Sequence, residues 1–241
     1  MPRPPRRSIR TIGVMLMAVT MVAGAGASPA GAATEIDLTP HLNNVGIQQL
    51  PTSTADFDGV GWSYSMAALR LGDPRSNYAG VEPGQTITTG GFTFTWPNRP
   101  AGSTDNVVTL GQTIALTNAA GATKIGFLGS ATNGPTTGTF TLNYTYVDAE
   151  GVTREEQVNK PITFSDWTLN AGGASPAAGN TIVLKNLFRS ASQPAPCCVP
   201  DQDEPHVFLV STPLDPTKTL QSIKLPQTIN GQIHLFGMAI A

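Results

Sequence analysis

Apolar and polar residues alternate strictly in two segments of the chain. In Phe92–Trp96 the aromatic residues fall on one side and the threonines on the other, and Thr139–Val147 repeats this arrangement. A period of two residues is typical of a β-strand with one buried face. Shorter runs of the same kind continue to the end of the chain, separated by turn residues such as Gly90 and Gly91.

The spacing of these runs predicts the fold class. About eleven short strands, each followed by turn residues within roughly 8–12 positions, indicate an antiparallel sandwich or barrel. One short helix is predicted at Ser65–Leu71, and no alternation of strands with helices suggests a Rossmann-like sheet or a TIM barrel. We therefore expect an all-β protein, an antiparallel two-sheet β-sandwich with jelly-roll topology. The charged segment Asp148–Lys160 is expected to be a solvated hairpin tip.

The first 33 residues have the pattern of a signal peptide. Four arginines precede an apolar run at Thr11–Ala23, and small residues ending in Ala30, Ala32 and Ala33 follow. The apolar run is shorter than the roughly 20 residues that a spanning helix needs. We expect cleavage after Ala32 or Ala33, export by the general or the twin-arginine route, and no stable membrane insertion afterwards. The predicted organisation is a signal peptide at 1–33, an N-terminal segment at 34–56 and a β-sandwich domain at 57–241.

Charge narrows the range of partners. Ten basic and sixteen acidic side chains follow the leader, which gives a net charge of −6. An acidic chain without a basic cluster lacks the attraction for phosphate on which nucleic-acid binding depends, and it is a poor ligand for anionic membrane surfaces. We therefore expect a secreted or envelope-associated protein that does not bind nucleic acid.

Catalytic patterns are weak. Gly61–Ser65 nearly matches a nucleophile elbow around Ser63, but Ser65 replaces the final glycine and the elbow belongs to α/β sheets. Glu155 and Glu156 are neighbours, so on a strand they point to opposite faces and cannot easily flank one glycosidic bond. These patterns do not decide whether the protein is an enzyme, and a non-catalytic protein is favoured.

Metal and cofactor signals are also weak. No histidine or cysteine spacing predicts a zinc site. The acidic residues Asp201, Asp203 and Glu204 lack the spacing of a calcium loop, and a solvated loop is favoured over a Ca²⁺ site. No cofactor is predicted, and a structural Ca²⁺ elsewhere is left open.

The chain has two cysteines, Cys197 and Cys198, and they are adjacent. Neighbouring Cα atoms lie about 3.8 Å apart, closer than the roughly 4.4–6.8 Å of ordinary disulfides. Free thiols, a strained vicinal disulfide and bonds to another chain remain as alternatives, and export to an oxidising compartment favours the last two.

Two of the three tryptophans are candidates for ligand contact. Trp96 continues the apolar face of its strand and is expected in the core, whereas Trp62 and Trp167 lie at segment ends close to Asp58 and Asp166. An aromatic face covers the C–H groups of a sugar ring, and a nearby carboxylate accepts hydrogen bonds from its hydroxyls. For Trp62 and Trp167, carbohydrate recognition and core packing therefore remain as alternatives.

Several segments together resemble a known module. They include FDGVGWSYS (Phe57–Ser65), GGFTFTWP (Gly90–Pro97), STDNVVTLGQTI (Ser103–Ile114) and FSDWTL (Phe164–Leu169). In this order they resemble a β-sandwich module of secreted actinobacterial proteins, similar to galactose-binding domains and often appended to glycoside hydrolases. This chain carries no such catalytic domain.

The resemblance implies a non-catalytic, lectin-like protein that binds a carbohydrate or an envelope glycan. The expected ligand-binding residues are polar or aromatic, lie at segment ends and match the family segments: Asp58, Trp62, Asp105, Asn106, Asp166, Trp167 and Arg189. Two alternatives stand beside this function. One is a structural or adhesive surface protein joined to partners through Cys197 and Cys198, and the other is a secreted hydrolase of glycans or esters.

Overall fold

The computed structural model describes Met1 and residues 33–49, 53–117, 119–191, 203–229 and 231–241. The predicted signal peptide and the Cys197–Cys198 pair lie outside the described residues, apart from Met1 and Ala33. The elements are one helix, α1 (Met66–Leu71), two single 3₁₀ turns (Thr39–His41 and Pro74–Ser76), and strands β1 (Thr34–Ile36), β2 (Ile47–Gln48), β3 (Trp62–Ser65), β4 (Thr86–Thr89), β5 (Phe92–Thr95), β6 (Val107–Val108), β7 (Thr113–Ala115), β8 (Lys124–Thr132), β9 (Thr136–Val147), β10 (Thr153–Phe164), β11 (Asn180–Lys185), β12 (Arg189–Ala191), β13 (His206–Pro213), β14 (Thr219–Lys224) and β15 (Gln232–Ile240).

Two main sheets form the sandwich. The larger has the order β1-β15-β8-β13-β11, with β6 also paired to β15, and the smaller has the order β10-β9-β14-β7. A three-stranded sheet, β12-β3-β2, and the β4–β5 hairpin complete the fold. All strand pairs in the two main sheets are antiparallel, which confirms the expected all-β antiparallel sandwich.

The alternation along the chain explains how the two main sheets pack. On β9 the side chains of Phe140, Leu142 and Tyr144 are buried, and most of the threonines of the strand are partly or fully exposed. Phe140 of β9 meets Phe127 of β8 at 4.9 Å between ring centroids, and Phe164 of β10 lies 6.2 Å from both. These rings form the centre of the core between the sheets.

A second core lies on the opposite face of the larger sheet. Phe57 is fully buried there, with ring centroids 4.8 Å from Tyr64, 5.0 Å from Trp167, 4.0 Å from His234 and 6.0 Å from Phe236. The small sheet and helix α1 cover this core. The predicted helix at Ser65–Leu71 is confirmed: the hydroxyl of Ser65 accepts the amide of Ala68 and caps the first turn of α1.

The segment that precedes Phe57 is joined to the sheets. Thr34 to Ile36 pair with Ile240 to Met238 of β15, and Ile47 pairs in parallel with Tyr64 of β3. The described part of residues 34–56 thus supplies an edge strand of the larger sheet and one strand of the small sheet.

The charged hairpin is longer than the sequence indicated. The turn comprises Asp148 to Val152, where the Asp148 amide donates to the carbonyl of Val152 at 2.9 Å. Residues 153–160 belong to the twelve-residue strand β10. Polar residues on both faces of that strand hid its period of two from the sequence analysis.

No helix in the described part of the chain has the length and apolar character needed to cross a membrane.

We expect the second core to dominate stability. Phe57→Ala removes a fully buried ring and should lower the free energy of unfolding by about 3–5 kcal/mol, since both burial and packing are lost. Ile229, whose side chain is 94% exposed, provides the control, and Ile229→Ala should change the free energy by less than about 0.5 kcal/mol. Urea denaturation measures both, and a small effect of Phe57→Ala would contradict this role.

Candidate functional site

Trp62 and Arg189 lie together on the small sheet. Ala191 of β12 pairs with Trp62 of β3, which brings the two side chains to the same region. The guanidinium carbon of Arg189 lies 3.9 Å from the ring centroid of Trp62 and 5.9 Å from that of Trp167, and the guanidinium forms an ion pair with Asp203. We call Trp62, Trp167, Arg189 and Asp203 the Arg189 cluster. Its two indoles and one carboxylate already engage the guanidinium that was expected to bind a sugar.

Asp58 shapes the turn that leads into β3. Its Oδ1 accepts the amides of Val60 and Trp62, each at 3.0 Å, and the side chain is largely buried. Burial raises the pKa of Asp58 and outweighs these two hydrogen bonds, which lower it. The carboxylate orients Trp62 through the backbone and offers little surface to a ligand.

Asp166 is also a turn residue. Its Oδ1 accepts the amide of Thr168 at 2.9 Å, the hydroxyl of Thr168 at 2.8 Å and the amide of Asn170 at 3.1 Å, and its Oδ2 accepts the amide of Gly134 at 2.9 Å. Four donors use both carboxylate oxygens. In this structure the oxygens of Asp166 thus hold two loops together.

Trp167 belongs to the second core. Its side chain is 2% exposed, and its ring lies 5.0 Å from Phe57 and 5.2 Å from Tyr64 between centroids. Both neighbours are fully buried. In this structure no ring face of Trp167 is open to stack on a sugar.

Asp105 and Asn106 form a buried polar network with a histidine. Asp105 accepts the amides of Gly46 and Ile47 at 3.1 and 2.9 Å, and Asn106 Nδ2 donates to Asp105 Oδ1 at 2.7 Å. On its other side, Asn106 Oδ1 lies 2.9 Å from His234 Nδ1. An amide oxygen only accepts, so Nδ1 carries the proton. These buried residues hold residues 46–47 against the larger sheet.

Burial shifts the pKa values of the two titratable groups of this network in opposite directions. Burial raises the pKa of Asp105 to about 6, against three hydrogen bonds that lower it. Burial alone lowers the pKa of His234 to about 3, so its ring is neutral over most of the pH range. Both groups are disfavoured in their charged forms because the surrounding rings exclude water.

The structure thus gathers the seven predicted residues around one aromatic core. It buries Asp105, Asn106, Asp166 and Trp167 as scaffold, and Asp58 as a turn residue. Trp62 and Arg189 keep partial exposure.

Ser63, the serine of the segment that nearly matches a nucleophile elbow, is not arranged for catalysis. Ser63 lies inside β3, fully buried, and its hydroxyl donates to the carbonyl of Ser190 at 3.4 Å. Asp166 and either His206 or His234 follow Ser63 in the chain order of an α/β-hydrolase triad. Asp166 and His234 are used in the contacts above, and His206 Nδ1 lies 3.3 Å from the carbonyl oxygen of Trp167. No nucleophile–base pair is formed at Ser63 among the described residues.

Among the described residues, no group of three or more His, Cys, Asp or Glu side chains is placed to hold a metal ion.

A cleft that the sequence did not reveal lies between β1 and the chain that follows β5. Its volume is about 410 Å³, within the roughly 300–1,000 Å³ of small-molecule sites. The residues that give it chemical character are Glu35, Asp37, Thr95, Trp96, Asn98 and Arg99. They come from segments about 60 positions apart and meet because β1 and β5 contact each other and both contact β15.

One wall of the cleft is fixed by Glu35. Its two carboxylate oxygens accept the amide and the hydroxyl of Thr95 at 2.6 and 2.7 Å, which ties β1 to β5. Beyond it, Asp37 accepts the amide of Thr39 at 2.8 Å. Hydrogen bonds from Thr39 lower the pKa of Asp37, so the exposed carboxylate is charged at neutral pH.

The interior of the cleft is apolar and its opposite rim is polar. The half-buried side chains of Ile36, Leu42 and Pro97 give the apolar surface, and the buried rings of Trp96 and Phe236, stacked with 4.7 Å between centroids, line the cleft from the core side. On the rim, Asn98 and Arg99 are exposed, and Arg99 Nε donates to the carbonyl of Thr104 at 3.3 Å. The cleft therefore offers apolar surface, carboxylate acceptors and nitrogen donors in one small volume.

The buried Asp105–Asn106–His234 network predicts an unusual pH dependence. Between about pH 6 and pH 4 the folded protein holds a proton on Asp105 and the unfolded chain holds one on His234. The two nearly cancel, so these groups leave the free energy of unfolding almost independent of pH in that window.

Single variants should separate the contributions of Asp105 and His234 to the change of the free energy of unfolding with pH. Relative to wild type, Asp105→Asn leaves only His234, and stability should fall by about 1.4 kcal/mol per unit as the pH is lowered. His234→Asn leaves only Asp105, and stability should rise by a similar amount. Urea denaturation at several pH values measures this, and slopes of the same sign in both variants would contradict the network.

A search of curated proteins finds no match. The family model of the AziU2-like beta-sandwich domain matches residues 49–186, a span that contains Asp58, Trp62, the Asp105–Asn106 pair and Trp167. It also contains most of the smaller sheet and the stacked indole of Trp96. The match covers more than half of the chain, and its description agrees with the observed sandwich. The chain belongs to the AziU2-like beta-sandwich domain family.

Proposed function

We propose that this protein is an exported, non-catalytic carbohydrate-binding protein that holds a sugar unit of an envelope glycan in the cleft between β1 and β5. The observation that carries the proposal is the composition of that cleft. A sugar presents C–H patches and hydroxyls side by side, and the cleft presents the half-buried apolar side chains of Ile36, Leu42 and Pro97 beside carboxylate, amide and guanidinium groups. Its volume suits one or two sugar rings.

The charges of the cleft favour a particular class of sugar. The cleft contains the carboxylates of Glu35 and Asp37 and a single guanidinium, that of Arg99. A cleft with excess negative charge repels uronates and phosphorylated sugars. The geometry supports a neutral sugar, or an amino sugar whose ammonium group faces Asp37.

Trp62 marks a second place where the same ligand class could bind. Its indole is half-buried, with Arg189 over the ring. Asp203 and Trp167 hold Arg189 in place against Trp62, and Asp58 fixes the backbone of Trp62. In this arrangement Trp62 supplies the contact and the other predicted residues supply rigidity.

Two further points support the proposal. The resemblance to secreted sandwich modules, similar to galactose-binding domains and often appended to glycoside hydrolases, implies carbohydrate binding. The basic, apolar and small-residue order of residues 1–33 supports export, which would bring the protein to envelope glycans. Function differs among proteins that share a fold, so the cleft carries the argument.

Glycan-array binding tests the proposal, with and without Ca²⁺. We expect selective binding of neutral or amino sugars by the wild type. Asp37→Ala should weaken binding about ten-fold or more, because a hydrogen bond to a charged group is lost, and Asn98→Ala should weaken it several-fold. Glu150→Ala, at the exposed hairpin tip, is the matched control and should bind as the wild type does.

The variants also locate the site. Loss of binding in Trp62→Ala, with Asp37→Ala unchanged, would move the site to the Arg189 cluster. The absence of selective glycan binding with and without Ca²⁺ would contradict the proposed function.

A further inference from the structure

Strand β10 forms a long open edge of the smaller sheet. It runs for twelve residues, Thr153–Phe164, and among the described residues it pairs only with β9. Most strands are 3–10 residues long, and an unpaired edge presents a row of backbone donors and acceptors. Such an edge is a template for pairing with another strand.

The structure shows which backbone groups face outward. The side chain of Asn180 donates to the carbonyl of Thr163 at 2.9 Å, so this carbonyl points away from β9. Backbone groups alternate sides along an antiparallel strand, so the other odd-numbered residues of β10 also point outward. Pro161 belongs to this set and has no N–H to lose from the β9 ladder, as expected of a proline in an edge strand. Asn180 covers Thr163, and the open edge extends from Thr153 to Pro161.

We propose that two copies of this chain pair through β10, antiparallel and related by a two-fold axis at Val158. In this register, and repeated by symmetry, the opposed residues are Thr153 with Thr163, Arg154 with Ile162, Glu155 with Pro161, Glu156 with Lys160 and Gln157 with Asn159. The outward backbone groups of residues 155–161 then meet their counterparts in the second copy. The result is one continuous eight-stranded sheet.

Charge complementarity selects this register. It places Glu156 of each copy opposite Lys160 of the other copy, which gives two such pairs. Opposite charges across a strand pair are favourable. A two-fold axis one residue earlier, at Gln157, would oppose Arg154 to Lys160, and an axis at Glu156 would oppose that carboxylate to itself. Only the axis at Val158 joins unlike charges and places an apolar residue at the centre.

The groups involved are available for the pairing. Lys160 is half-buried and has no ion-pair partner among the described residues. Glu156 binds Lys218 through Oε2 at 2.6 Å, which leaves Oε1 for a second cation. Pro161 lacks a donor, so one hydrogen bond per copy is missing, but its carbonyl still accepts. A two-fold pairing uses both edges and closes, so it yields a dimer and not a fibre.

Sedimentation velocity of the purified protein over a range of concentrations tests the proposal. We expect a dimer in the wild type. Lys160→Glu places two like-charged pairs at the interface and should raise the dissociation constant about ten-fold or more. The exchanged pair Glu156→Lys with Lys160→Glu should restore the dimer. Lys224→Glu, an exposed charge change on β14 of the same sheet, is the control and should leave the dimer intact.

Amide hydrogen exchange distinguishes a dimer paired through β10 from a dimer formed through another surface. The amides of Gln157 and Asn159 face outward, so they should be protected in the wild type and exchange rapidly in Lys160→Glu. The amides of Glu156 and Val158, which face β9, should stay protected in both. A monomer at every concentration, a dimer unchanged by Lys160→Glu, or failure of the charge exchange to restore it would overturn the proposal.

Discussion

The burial of the Phe57 ring is the contact on which the rest of the structure depends. Phe57 touches Tyr64 of the small sheet, Trp167 of the loop after β10, and His234 and Phe236 of the larger sheet. One side chain therefore joins three parts of the chain that are more than 60 residues apart. The same aromatic row continues through Phe236 to Trp96, whose ring lines the cleft. Residues that orient the cleft and residues that surround Arg189 share this one core.

Alternation in the sequence predicts the strands that have one buried face, because apolar residues of such a strand recur every two residues. Strands β5 and β9 confirm this, and so does the helix that Ser65 caps. The method failed where both faces of a strand are polar, as in the first half of β10, and where a strand of two or three residues depends on its partner, as in β1 and β12. Their stability comes from pairing that local sequence does not encode.

The site was harder to predict for a physical reason. A carboxylate at the end of a segment can bind a ligand or bind the amides of its own turn, and Asp166 and Asp105 do the latter. Likewise a tryptophan beside an acid can face solvent or the core, and Trp167 faces the core. The cleft escaped notice because Asp37 and Asn98 are brought together by the packing of β1 and β5 on each other and on β15, which the local sequence does not show. In the proposed dimer, β10 and β1 belong to different sheets, so two clefts would remain open and could bind one glycan chain together with raised avidity.

A two-dimensional ¹H–¹⁵N NMR titration of the protein with short neutral and amino-sugar oligosaccharides tests the central claim most directly, because it reports the binding place for each residue. The account predicts saturable shifts at the amides of Thr95, Asn98 and Arg99 and at the indole N–H of Trp96, with the buried Asp105–Asn106 amides unchanged. Shifts confined to the Trp62 region would place the ligand elsewhere. No saturable shift with any of these sugars would contradict carbohydrate binding in the cleft.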